Sequence, residues 1–101
     1  MYQDLDSDDA KHWVSKLMPH SPATFLAKAT SAAWRTIPSA YLICENDATI
    51  PVQAQEAMIS TVQKEGGQIE VERIRGSHSP HLKQPDTVAN FLRRAAGEKF
   101  W

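Results

Sequence analysis

Two side chains in this sequence combine the types and spacing that acid–base chemistry needs: Asp47, three residues after Cys44, and His78, four residues after Ile74. A carboxylate that accepts a bond from an imidazole Nδ1–H fixes the ring's tautomer and stabilises its protonated form. Nε2 is then free to act as a general base. Taken singly, Asp47 is also a good turn residue and His78 a good solvated loop histidine, and geometry alone separates these readings. Ser77 and Ser79 flank the histidine, but neither follows a strand and opens a helix as an activated serine does. His78 and His81 have a His-x-x-His spacing, which supplies two metal ligands where a site needs three or four. No metal or cofactor is expected. His12 and His20 lie on or beside the first helix and read as surface residues. Cys44 sits in an apolar run and reads as a small core residue.

The elements that must position Asp47 and His78 are legible around them. Ala40 to Cys44 is a continuous apolar run, the pattern of a strand covered on both faces in a parallel sheet. Pro51 opens a helix running through Val52, Met58, Ile59 and Val62 to about Glu65, and Gly66-Gly67 stops it. Ile69 to Ile74 alternates and reads as a second strand, at a sheet edge. Arg75 to Gln84 reads as a loop. Pro85 opens a last helix with Val88, Phe91, Leu92 and Ala95 as its buried stripe, ending near Gly97. A strand–helix–strand unit of this length is right-handed and parallel. Both strands then end at the same rim, where open α/β sheets place reactive groups.

Upstream, Ser7 to Met18 reads as an amphipathic helix capped by Ser7, with Ala10, Trp13, Val14, Leu17 and Met18 on one stripe. Ser21-Pro22 reads as the start of a short helix to about Lys28. Residues 29–38 read as a loop anchored by Trp34. Glu98-Lys99-Phe100-Trp101 lies past the last helix stop and reads as frayed.

With 101 residues the chain has room for one domain. A formal net charge of −1 gives no electrostatic footprint for nucleic acid or an anionic membrane, so neither is expected as a partner. One cysteine excludes an intrachain disulfide framework. No apolar run reaches the ~18 residues of a membrane span, and the acidic start is unlike a signal peptide. These features read as a soluble, cytoplasmic polypeptide.

Two segments resemble a known family. Cys44-Glu45-Asn46-Asp47-Ala48-Thr49-Ile50-Pro51, followed by Gln55 and Met58, is similar to the acid-bearing turn of α/β-hydrolases. Arg75-Gly76-Ser77-His78-Ser79-Pro80, with Pro85 opening a helix, resembles that family's histidine loop. Acid before histidine matches the fold's Ser…Asp…His order. The nearest likeness is to the esterase-like branch of methyl esterases, hydroxynitrile lyases and their fungal relatives. The resemblance implies a C-terminal α/β-hydrolase fragment: an α/β fold in βαβα order with two parallel strands, preceded by cap-like helices. Residues 1–36 would end the helical cap and residues 37–101 would form the core. It also implies that Asp47 and His78 are the catalytic acid and base of ester hydrolysis. Trp13, Trp34 and Phe25 would then line a pocket under the cap or serve as core.

One departure bears on mechanism. The family's nucleophile sits in a Gly-x-Ser-x-Gly elbow, and none of the four glycines here (Gly66, Gly67, Gly76, Gly97) belongs to one. The oxyanion-hole segment is also missing. Two readings therefore stand: an esterase-type chain that needs an N-terminal segment to act on a small ester, or a non-catalytic hydrolase remnant that binds or associates. An unpaired strand edge also implies self-association.

Overall fold

A computed structural model describes residues 1–98; the expectation of fraying at 99–101 lies outside the described residues. The elements, in order, are α1 (Ser7–Val14), α2 (Ala23–Leu26), β1 (Ser39–Cys44), α3 (Val52–Lys64), β2 (Ile69–Ile74), α4 (Pro80–Lys83) and α5 (Pro85–Ala95). Strands β1 and β2 pair in parallel, with Ser39 opposite Ile69 and Cys44 opposite Ile74. Helix α3 is the crossover between them. The α/β order expected for residues 37–98 is the order observed.

Gly66 has φ +84°, the left-handed conformation that ends α3 without a Cβ clash. Beside it, a Cβ on Gly67 would fall 2.6 Å from Val62 Cγ1 and 3.0 Å from Trp34 Cε3. Trp34 is thus an anchor, held half-buried by a short 3-10 turn over Ala33–Arg35 inside the expected loop. The Arg35 guanidinium lies 4.7 Å from its ring centre.

The core is small, and within β1 it is reached only at the carboxyl end, by Ile43 and Cys44. Ile43, Cys44, Ile59 and Phe91 are its buried apolar side chains. Strand β1 is not covered on both faces throughout: Ala40 is exposed and burial deepens only toward Cys44. Helix α3 buries Gln55 and Ile59 and leaves Met58 exposed. In α5, Phe91 is buried while Leu92, expected on the same face, is exposed.

The expected helices upstream are shortened. Asp6, in extended conformation, caps α1 by accepting from the Asp9 N–H at 2.9 Å, so Ser7 is the first helical residue and not the cap. The helix ends at Val14, leaving Leu17 and Met18 outside it and exposed. Helix α2 is one turn, ending at Leu26 and not at Lys28. Both corrections share a cause. No residue of α1 or α2 is buried, and short helices without a packed face are marginal. The expected loop 75–84 contains the single turn α4, opened by Pro80. Glu98 is tied back: its N–H donates to the Arg93 carbonyl and its carboxylate pairs with the Arg93 guanidinium.

Candidate active site

Past Cys44 the chain turns sharply, and Asp47 organises the turn. Its Oδ1 accepts the backbone N–H groups of Thr49 at 2.7 Å and Ile50 at 2.9 Å. This is the local side-chain-to-backbone closure for which Asp is favoured in turns. The second oxygen, Oδ2, is left for another partner. It lies 3.0 Å from His78 Nδ1. The Asp47 side chain is only 7% exposed and that of His78 is 30% exposed, so the carboxylate is walled in while the ring keeps access to the surface.

Burial pushes the Asp47 carboxyl upward. The Ile50 N–H, the His78 bond, the Thr49 N–H and the positive charge His78 can carry outweigh it, holding the group below the usual carboxylate range. An ionised carboxylate has no proton to donate, so the hydrogen on the Asp47–His78 bond belongs to Nδ1. In the neutral ring, Nε2 then carries a lone pair. No hydrogen bond to Nε2 is made among the described residues.

The histidine loop is fixed by close packing and by backbone bonds to the acid loop. Gly76 is buried, and a Cβ there would sit 3.0 Å from Ile74 Cδ1 and 3.3 Å from Pro80 Cβ, which is why glycine occupies the entry to the loop. Its carbonyl accepts the Asn46 N–H at 3.0 Å, one step beyond the last ladder bond from the Glu45 N–H to the Ile74 carbonyl. Gln84 closes the loop's far end, its side-chain amide donating to the Arg75 carbonyl at 2.9 Å.

Gln55 was not assigned a role from sequence and is the buried polar residue that holds the acid loop. It is 2% exposed. Its Oε1 accepts the Cys44 N–H at 3.0 Å, and its Nε2 donates to the carbonyls of Cys44 and Ile50, both at 2.9 Å. Because Glu45 faces β2, the alternation of a parallel ladder turns the Cys44 N–H and C=O to the opposite edge. The Gln55 amide therefore bonds Cys44 where a neighbouring strand would, at that one residue. A polar residue on the same face of α3 as Ile59 was the signal that could have revealed it.

The other candidates stand apart from the pair. Ser77 is fully buried and donates to Asp4 Oδ1 at 2.7 Å, with the Met1 carbonyl a second acceptor at 3.2 Å, so its hydroxyl is turned away from any base role of His78. His81 lies on α4 and is exposed. His20 bonds Thr24 and stacks against Phe25, and His12 meets Trp13 edge-on. Among the described residues, no three His, Cys, Asp or Glu side chains gather as a metal-binding group. Burial, together with the charges of Asp47 and Asp4, pushes the Cys44 thiol up, which makes it a poor nucleophile. Trp13 and Phe25 are exposed, whereas Trp34 is half-buried.

Comparisons with known proteins identify the family. The model of the "Alpha/beta hydrolase family" matches residues 1–91. An "Alpha/beta hydrolase nvfD" of Aspergillus novofumigatus is 39% identical over 87 residues, covering 85% of this chain and 34% of that relative. A "Probable hydrolase R7" of a Phoma species is 30% identical over 95 residues, covering 93% of this chain and 39% of the relative. No solved structure gives a significant match. The chain thus spans between a third and two-fifths of the length of these curated relatives. With a parallel βαβα unit, two loops meeting at one rim and a family match across nine-tenths of its length, the chain belongs to the alpha/beta hydrolase family.

Proposed function

We propose that this chain supplies the acid and the general base of an esterase-type hydrolase, with Asp47 and His78 in those roles. Its nucleophile and oxyanion donors would come from hydrolase sequence outside these 101 residues. The observation that carries the reading is the 3.0 Å bond between His78 Nδ1 and a carboxylate already anchored by two backbone N–H groups. In the completed enzyme, His78 Nε2 takes the proton of a serine hydroxyl as the oxygen attacks an ester carbonyl. Asp47 stabilises the imidazolium that forms. The same proton passes to the leaving alcohol, and water repeats the cycle on the acyl-enzyme. The substrate is a small carboxylic ester, a reading supported by the resemblance to the branch of methyl esterases, hydroxynitrile lyases and their fungal relatives. We place the protein in the cytoplasm, where a free thiol such as Cys44 stays reduced. No described helix is long and apolar enough to cross a membrane. Residues 1–36 are read as the end of a cap and residues 37–101 as core.

A second reading, association, rests on surface. The accessible area is 7,674 Å², against roughly 5,700 Å² for a folded monomer of 11.3 kDa. The edge of β1 away from β2 has no strand partner among the described residues. Surface of that kind is covered by a completing hydrolase segment or by another copy.

The test is complementation. The chain is assayed on an unactivated ester alone, and then co-expressed with the remaining two-thirds of the Aspergillus relative, which is to be checked for a Gly-x-Ser-x-Gly elbow. Turnover is expected only in the complemented sample, and His78→Ala is expected to abolish it. Equal turnover in the complemented wild type and His78→Ala samples would refute the assignment.

A further inference from the structure

Residues 1–5 contact both loops of the pair. The Gln3 side-chain amide donates to the Asn46 carbonyl at 2.7 Å, next to Asp47 in sequence. Asp4 Oδ1 accepts the Ser77 hydroxyl at 2.7 Å, next to His78 in sequence, and the Met1 carbonyl lies 3.2 Å from the same hydroxyl. One pentapeptide thus spans from the acid loop to the histidine loop, across 73 positions of sequence in the Asp4–Ser77 bond. Ser77 is fully buried, and its bond to a carboxylate is charge-assisted, the stronger class of hydrogen bond. A buried side chain held this way fixes the backbone from which the next residue projects. The pair tolerates little movement: a shift of 1 Å would carry 3.0 Å beyond hydrogen-bonding range.

We propose that Asp4 is a positioning residue for the Asp47–His78 pair. Through Ser77 it sets the placement of His78, while Gln3 holds the acid loop against the same strap. The assignment rests on the reading of Asp47 and His78 as the acid–base pair, and the experiment separates the two claims.

The whole chain, labelled with 15N in histidine, is followed by long-range 1H–15N spectra of the neutral His78 ring in wild type, Asp4→Ala, Asp4→Asn, Ser77→Ala and Asp47→Asn. Wild type is expected to show the Nδ1–H tautomer. Asp4→Ala and Ser77→Ala are each expected to lose it toward tautomer-averaged shifts. Asp4→Asn keeps an acceptor oxygen and is expected to rescue the signal. The Asp4→Ala/Ser77→Ala double variant is expected to be no worse than either single one. If Asp4→Ala fails to fold, Ser77→Ala, which deletes one oxygen, decides. A wild-type tautomer in Ser77→Ala, with the tautomer lost in Asp47→Asn, overturns the positioning role and leaves the pair intact. An Asp4→Asn ring as perturbed as the Asp4→Ala ring also overturns it. A wild-type tautomer in Asp47→Asn overturns the pair itself.

Discussion

Replacing Gln55 with leucine tests how the acid loop is held, because the two side chains are similar in size but leucine can make no hydrogen bond. The variant loses three bonds, to the Cys44 N–H, the Cys44 carbonyl and the Ile50 carbonyl. Gln55 itself is 2% exposed and Cys44 8%, so water does not readily replace what is lost. Each orphaned buried group costs about 1–3 kcal/mol, and two such groups at Cys44 put the loss at about 3 kcal/mol. With a urea dependence of about 1–1.5 kcal/mol per molar for a chain of this size, the midpoint should fall by roughly 2 M. The wild-type chain and Gln55→Leu are compared by urea titration, following the far-ultraviolet circular dichroism of the helices. Gln55→Glu is expected to fail in the same way, since a carboxylate accepts from Cys44 but cannot donate to two carbonyls. A Gln55→Leu midpoint within about 0.3 M of wild type would refute the argument, as it would mean those backbone groups find other partners.

Three further expectations concern Asp47, Cys44 and the surface of the whole chain. The Asp47 carboxyl is held low in the fold, so its contribution to stability is present above the unfolded value of about 3.9 and is lost as pH falls through the folded value. The gap in urea midpoint between wild type and Asp47→Asn should shrink from pH 6 toward pH 2.5; a gap independent of pH contradicts the assignment. Cys44, buried and with its thiol pushed up, should react with a disulfide reagent at pH 8 roughly tenfold or more slower than in 8 M urea, and equal rates would deny its burial. Sedimentation should show dimers or larger species at high micromolar concentration, because the chain exposes roughly 2,000 Å² beyond a folded monomer of its mass. A compact monomer under those conditions would count against association.

The parts of the fold that could be read from sequence are those governed by local rules. A continuous apolar run, a helix bounded by Pro51 and Gly66, and an alternating strand specify β1, α3 and β2 within a residue or two. Parallel pairing then brings the ends of the two strands together, and with them Asp47 and His78. What escaped sequence reading depends on partners distant in the chain or absent from it. The α1 stripe through Met18 has the right period, but no residue of the helix is buried, and it stops at Val14. Asp6 and Ser7 are both good caps, and only the extended backbone at Asp6 decides between them. The roles of Gln55 and Asp4 lie in bonds across 11 and 73 positions, where no periodicity points. Leu92 is expected on the stripe of Phe91 yet stays exposed, since neighbours on a helix differ by about 100° in direction and Phe91 takes the buried side.

If Asp47 and His78 act as one unit, their effects on turnover are coupled, and a double-variant cycle in the complemented enzyme measures that coupling. Turnover is measured for wild type, Asp47→Asn, His78→Ala and the pair together, on the same unactivated ester. Each single variant is expected to lose on the order of 10⁴-fold in kcat, since either the base is gone or its tautomer is no longer fixed. The double variant is expected to lose no more than His78→Ala alone, because a carboxylate without its imidazole has nothing left to stabilise. Losses that multiply, or an Asp47→Asn enzyme with wild-type turnover, would contradict the account.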